Sequence, residues 1–197
     1  MKPVKGYEEA KAMGEGQERL PVDGYIIKIL NVEEVDYEWG NVIALSYDIV
    51  EGEHAGYYKK NYDMQTGEDK KWKGVHRMNV PKDDSECKTA DEKEKNGWTL
   101  SAFKRDIEAF EDSNSGFHWD WDEQKLKGLV VGAVMQDREY EFNGSSGFWT
   151  ACHHLTSVER IREGKFKIPK PKMLDRSKVK QADFAPLAED ELSELPF

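Results

Sequence analysis

Cysteine is nearly absent: the chain has only Cys87 and Cys152, far apart and in dissimilar surroundings. That excludes a disulfide framework and a zinc site built on cysteine. Long apolar runs are also missing. Stretches such as Leu129-Val130-Val131 fall far short of the roughly 20 residues that cross a bilayer. The opening residues, Met1-Lys2-Pro3-Val4-Lys5-Gly6, lack the apolar stretch of a secretory signal, so a cytoplasmic location without membrane contact is expected. No glycine-rich phosphate loop, nucleophile motif or internal repeat is found, and no cofactor is expected.

An excess of positive charge is wanting as well. Lys plus Arg number 29 against 39 Asp plus Glu, a net charge of −10 over 197 residues. Taken as a sum, this argues against nucleic acid, whose phosphates are bound by Lys and Arg displacing counterions. The acid is unevenly placed, however. Asp183, Glu189, Asp190, Glu191 and Glu194 stand in a C-terminal stretch without a basic residue, whereas residues 160–180 hold nine basic residues against Glu163 and Asp175. A basic segment running into an acidic end suggests a tail able to compete for a cationic surface.

What is present reads as a mainly β domain. Tyr25–Val32 is dense in β-branched and aromatic residues between turn signals, which predicts a strand. In Asn41–Val50 the apolar positions Ile43, Leu45, Tyr47 and Ile49 alternate with Ala44, Ser46 and Asp48, which predicts a second strand with one buried face. Tyr57–Tyr62 reads as a third, aromatic and basic strand. Residues 64–96 read mostly as loop, interrupted by Trp72–Val80. Thr99 reads as the N-cap of a helix carrying Leu100, Phe103, Ile107 and Phe110 and ending near Asn114–Gly116. Leu129–Phe142 and Phe148–Ile161, separated by a turn holding Asn143-Gly144, predict a hairpin. Three strands, a helix and two strands match a five-stranded OB-fold-like Greek-key barrel with its helix between strands 3 and 4. The expected organisation is a lead-in over 1–19, a nucleic-acid-binding domain over 20–168, and a basic linker with a disordered acidic tail over 169–197.

Aromatic and basic residues interleave in two places: Tyr57, Tyr58, Lys59, Lys60 and Tyr62, then Lys71, Trp72, Lys73, His76 and Arg77. An unpaired strand needs flat side chains under its bases and cations beside its phosphates. Aromatics in strands usually belong to a core and lysines to solvated surface. The cluster favours binding because Tyr58, Lys60 and Tyr62 would share one strand face, and a pure core face would not carry Lys60. The expected DNA-binding set is Tyr58, Lys59, Lys60, Tyr62, Lys71, Trp72, Lys73 and Arg77 from these clusters, with Trp39 beside Tyr37 in the first turn, Arg138 and Tyr140 on the fourth strand, and Trp149 at the head of the fifth. Trp39 and Trp72 are expected on the surface. Trp98, Trp119 and Trp121 are expected to pack against the barrel.

The chain ends Glu189-Asp190-Glu191-Leu192-Ser193-Glu194-Leu195-Pro196-Phe197. An acidic string closing on a terminal aromatic ring suits a pocket with an apolar slot and a basic rim. With the OB-like strand order, this tip resembles bacterial and bacteriophage single-stranded DNA-binding proteins, whose acidic tails close on Pro-Phe. Gly128–Pro171 is similar to the C-terminal part of those phage and mobile-element proteins. The resemblance implies a role in replication or recombination in a bacterial cytoplasm. It also implies that Asp190, Glu191, Glu194, Leu195, Pro196 and Phe197 recruit partner proteins. Glu-Leu-Ser-Glu stands where the family has a run of Asp. Homo-oligomerisation is left open.

Two rival readings compete with a non-catalytic binder of single-stranded DNA. One is a protein-interaction module or DNA mimic acting on a host factor through its negative charge. The other, ranked last, is a metal-dependent nuclease using Asp120, Asp122 and Glu123, or Asp63, Asp83 and Asp84. Cys152-His153-His154 invites a metal with Cys87, but neighbouring strand residues point to opposite faces, so Cys152 is expected buried and one histidine exposed.

Overall fold

Fourteen consecutive residues of β1 (Gly24–Tyr37) form the spine of the protein. Its partner β2 (Gly40–Ile49) pairs with it along most of its length, from Tyr37↔Gly40 to Ile27↔Ile49. A computed structural model describes residues 19–66, 68–142 and 145–176; the tip residues Asp190, Glu191, Glu194, Leu195, Pro196 and Phe197 lie outside them. β3 (Val75–Asn79) adds to β2, while β4 (Val130–Phe142) pairs with the first residues of β1 and then with β5 (Ser145–Thr156). The result is a five-stranded antiparallel open sheet in the order β3-β2-β1-β4-β5. It curls until its two edges, β3 and β5, come into contact without a ladder between them among the described residues.

The alternation in β2 buries Ile43, Leu45, Tyr47 and Ile49. They meet Ile27, Ile29, Val131 and Leu155 in a single core. Helix α2 (Ala90–Ser113) joins β3 to β4 and inserts Phe103, Ile107 and Phe110 into that core. Its N-cap lies ten residues before the expected one. Thr89 is the true cap: its hydroxyl accepts from Glu92 N at 3.1 Å, and the Glu92 carboxylate accepts from Thr89 N at 3.1 Å, a reciprocal capping box. The first turns carry no apolar stripe and are held by Asn96, which bonds both backbone groups of Lys82 at 2.8 and 2.9 Å.

Tyr57–Tyr62 is not a strand. It belongs to α1 (Tyr57–Met64), and the cause lies in β2. The buried Asp48 carboxylate accepts from Tyr58 N at 3.0 Å and Lys59 N at 3.1 Å, satisfying two first-turn amides. Burial of Tyr58 against Tyr47, with hydroxyls 3.3 Å apart, completes the anchor. This tertiary clasp outweighs the β preference of the tyrosines. β5 also ends earlier than expected, because Ser157 caps a short helix, α3 (Val158–Arg162). Ile161 of that helix and Phe166 cover Gly132 and Gly24, where a Cβ would sit 2.5–2.8 Å from their side chains. The β4–β5 ladder continues to Phe142↔Ser145, leaving a two-residue connection rather than five.

Residues 170–176 run back along β4. Lys172 N donates to Asp137 O at 2.8 Å, Glu139 N donates to Lys172 O at 2.9 Å, and Gln136 Nε2 donates to Lys170 O at 2.6 Å. Leu174 N and Arg176 close the strap on the Glu139 carboxylate at 3.0 and 3.1 Å. No helix among the described residues is long and apolar enough to cross a membrane.

Asp48→Ala leaves buried amides of α1 without an acceptor and is expected to cost about 2–3 kcal/mol, read as a lower urea midpoint at unchanged m-value; a loss below about 0.5 kcal/mol would remove Asp48 as the anchor of α1.

Candidate nucleic-acid interface

Small side chains create the site. On the sheet face opposite the core-facing Ile43 and Leu45, Glu33, Ala44 and Arg77 lie in register across β1, β2 and β3, as do Ser46 and Val75 of β2 and β3. Ala44 and Ser46 leave the middle of this face hollow, and a trough of about 1500 Å³ opens above it. That exceeds the range of roughly 300–1,000 Å³ usual for small-molecule pockets.

Two hairpin arms flank the hollow. The β1–β2 arm contributes Val35 and Tyr37 to one wall. Its tip carries Trp39, 57% exposed, stacked on Tyr37 with centroids 5.1 Å apart and planes at 7°. The β4–β5 arm supplies Arg138, Tyr140, Phe148 and Trp149 to the other wall. Arg138 and Trp149 are cross-strand partners, with the guanidinium 5.6 Å from the ring centroid. Tyr140 faces Gly147, whose missing side chain lets the phenol lie flat across the ladder. Helix α1 and the segment after it close one end through Tyr57, Tyr58, Lys71, Trp72 and Lys73.

Most of the expected residues therefore meet in one place. Tyr58, Lys71, Trp72, Lys73, Arg77, Arg138, Tyr140 and Trp149 all line the trough. Tyr58 does so as a buried part of the floor, and Trp72 is half-buried, its Nε1 donating to Tyr47 O and Gly74 O at 3.1 Å each. Trp72 is thus a wedge with one open side rather than a surface platform. Lys59, Lys60 and Tyr62 stand outside the trough because a helix, unlike a strand, turns them away. Lys59 pairs with Asp63 at 2.8 Å, and Tyr62 meets Trp72 at 5.7 Å with Lys70 over its ring. Tyr37, Tyr57, Phe148 and Arg19 join the lining although they were outside the expected set. The first three neighbour residues that were in it, while nothing in the lead-in singled out Arg19.

The electrostatics of the trough oppose those of the whole chain. Arg19, Lys71, Lys73, Arg77 and Arg138 line it against Glu33 and Asp69. Burial, then the neighbouring Lys71, hold the Lys73 ammonium below its usual value. Beneath the floor, His76 of β3 lies 3.5 Å from Asp106 of α2 and beside Cys152 of β5. Burial works against its charged form, yet Cys152 and Asp106 together raise His76 to about 10. Burial likewise pushes Asp106 up, but His76 and Arg105 hold it below the usual carboxylate value.

The remaining candidates disperse. Trp119 is half-buried on Phe103, but Trp98 and Trp121 are 73% and 69% exposed rather than packed on the sheet. Cys152 is buried and His153 exposed. A bulge places the two histidine rings 5.0 Å apart instead of on opposite faces. Among the described residues, no group of three or more His, Cys, Asp or Glu side chains could hold a metal ion. No family model matches the chain, and no curated protein is similar enough to count as a match.

Folding lifts His76 from about 6.5 to about 10, so its contribution to stability is complete below about pH 6.5 and is lost as pH rises towards 10. His76→Gln should flatten the fall in unfolding free energy over that window, measured by urea titration at a series of pH values. An undiminished slope would show that another group carries it.

Proposed function

We propose that the chain is a non-catalytic, largely sequence-independent binder of single-stranded DNA, built on an OB-type barrel. The observation that carries this reading is the trough: a cationic, ring-lined channel on a polypeptide of net charge −10. Unpaired bases expose both faces, and each base stacked on an aromatic side chain contributes about 1–3 kcal/mol. A duplex keeps those faces stacked on each other and offers the rings nothing. Arg77 on the floor, Arg138 on the β4–β5 wall and Lys71 and Lys73 at one end suit a continuous phosphate line.

The strand order, the helix between β3 and β4, and the approach of β3 to β5 support the OB assignment. OB-folds bind oligonucleotides on the face of strands 2 and 3 and through the loops joining strands 1 to 2 and 4 to 5. Those elements are the floor and the two arms of the trough. We assign the acidic C-terminal residues two roles, competing for the trough when no strand is present and recruiting replication or recombination proteins when one is. The strap supports the first role, because it ties the chain through Arg176 to Glu139, between Arg138 and Tyr140 that line the trough.

Anisotropy titration with an oligo-dT and a duplex of equal length tests the class of function. The single strand should bind at least about tenfold more tightly; equal affinity, or none for either, would end this reading. Replacing Lys71, Lys73 and Arg77 by Ala should lower the slope of log K against log salt by about 2. Replacing Lys59 and Lys60 should change it less. Trp149→Ala should cost about 1–3 kcal/mol with the slope unchanged. Deleting residues 182–197 should tighten DNA binding, and weaker binding on deletion would refute competition by the tail.

A further inference from the structure

Beside the trough lies a second cavity of about 150 Å³, between β3 and α2. It is several times the size a single water needs, and it shares His76, Arg77 and His153 with the trough. Arg105 of α2 adds a further cation. Its Nε and Nη2 donate to Asp106 at 2.9 and 2.8 Å, which fixes the guanidinium plane. That pairing leaves Nη1 for another acceptor, on a side chain that is 47% exposed.

The sheet is locally distorted to bring a fourth group there. Val134 pairs with His154 and Met135 with Cys152, so His153 is the extra residue of a bulge in β5. Bulges re-aim side chains, and this one sets His153 in the wall of the small cavity. Its Nδ1 is 2.7 Å from Nδ1 of His154, one donating to the other, and Nε2 is left for a ligand.

The groups around this spot carry a positive field. Facing His153 are Arg105 and Asp106 from α2, Arg138 from β4, His76 from β3 and His154 beside it. Burial first, then Arg105, holds His153 below the usual imidazole value. The same two causes, with His153, push His154 down to about 4. The pocket therefore has donors and net positive potential: its one lining carboxylate, Asp106, is already met by both Arg105 and His76, and Arg77 adds a further cation.

We infer that this pocket takes a phosphate group, presented by the terminal phosphate of a strand lying in the trough. The inference rests on the single-strand reading of that trough. An internal phosphodiester is tethered on both sides and has one charge. A terminal monoester brings close to two charges and three acceptor oxygens at neutral pH, which match the guanidinium groups of Arg77 and Arg105 and the imidazole of His153. The arriving dianion also favours the charged form of the exposed His153 imidazole.

The test uses the full chain and oligo-dT carrying a 5′-phosphate, a 3′-phosphate, or hydroxyls at both ends, with inorganic phosphate alone as a further probe. One phosphorylated oligonucleotide should bind about tenfold more tightly than the hydroxyl-ended one. The imidazole signals of His153, followed by NMR, should titrate at higher pH with that oligonucleotide and not with the hydroxyl-ended one. His153→Ala, at an exposed ring, and Arg105→Gln should each abolish the gain. Equal affinity for all three ends overturns the pocket while leaving the single-strand reading intact. Failure of the hydroxyl-ended strand to bind at all sinks the trough reading instead. Imidazole shifts with inorganic phosphate, without any effect of strand ends, make the pocket a free-anion site and overturn its assignment to a strand end.

Discussion

Asp106 holds the two free edges of the sheet together. Its carboxylate reaches His76 on β3 at 3.5 Å and accepts from Leu155 N on β5 at 3.2 Å, and it is buried with both. An antiparallel sheet that curls without closing leaves unpaired backbone groups along its edges, and here a helix supplies the missing acceptor from outside the ladder. A buried carboxylate is costly unless paired and hydrogen-bonded; Arg105, His76 and a backbone amide all meet this one. The curl that results brings together β3 and β5, both of which line the trough.

Curl alone would give a cavity to be filled by side chains. The hollow persists because Ala44 and Ser46 occupy the centre of the floor, while the bulk stands on the arms as Tyr37, Tyr140 and Trp149. Charge is partitioned in the same way. Among the described residues, Glu33 and Asp69 are the carboxylates in the trough lining, outnumbered there by five Lys and Arg, and a potential of that sign between low-dielectric walls is little screened. Net charge is thus a poor guide to what this surface attracts.

Much of the sheet was legible in the sequence because its signal is local. Period-two burial in β2, the β-branched run of β1 and the apolar start of β4 each contain their own evidence. The elements that were misread owe their form to distant residues. Tyr57–Tyr62 is helical because Asp48, ten positions before Tyr58, caps it; β3 is a short edge strand that exists by pairing with β2; and the opening turns of α2 rest on Asn96 and Lys82 rather than on an apolar face. The site divides along the same line. Composition picked out Arg77, Arg138, Tyr140 and Trp149 as types suited to an unpaired strand. Only the curl of the sheet brings them opposite one another, and only the helical turn of α1 removes Lys59 and Lys60.

The strap over residues 170–176 has a further consequence for how copies of this protein behave towards each other. Beyond Met135, β4 parts from β1, and its backbone from Gln136 to Glu139 would otherwise face solvent on that side. Parallel pairing with Lys172 consumes those groups. A naked strand edge is a template on which another copy can pair, and here the chain sheathes its own.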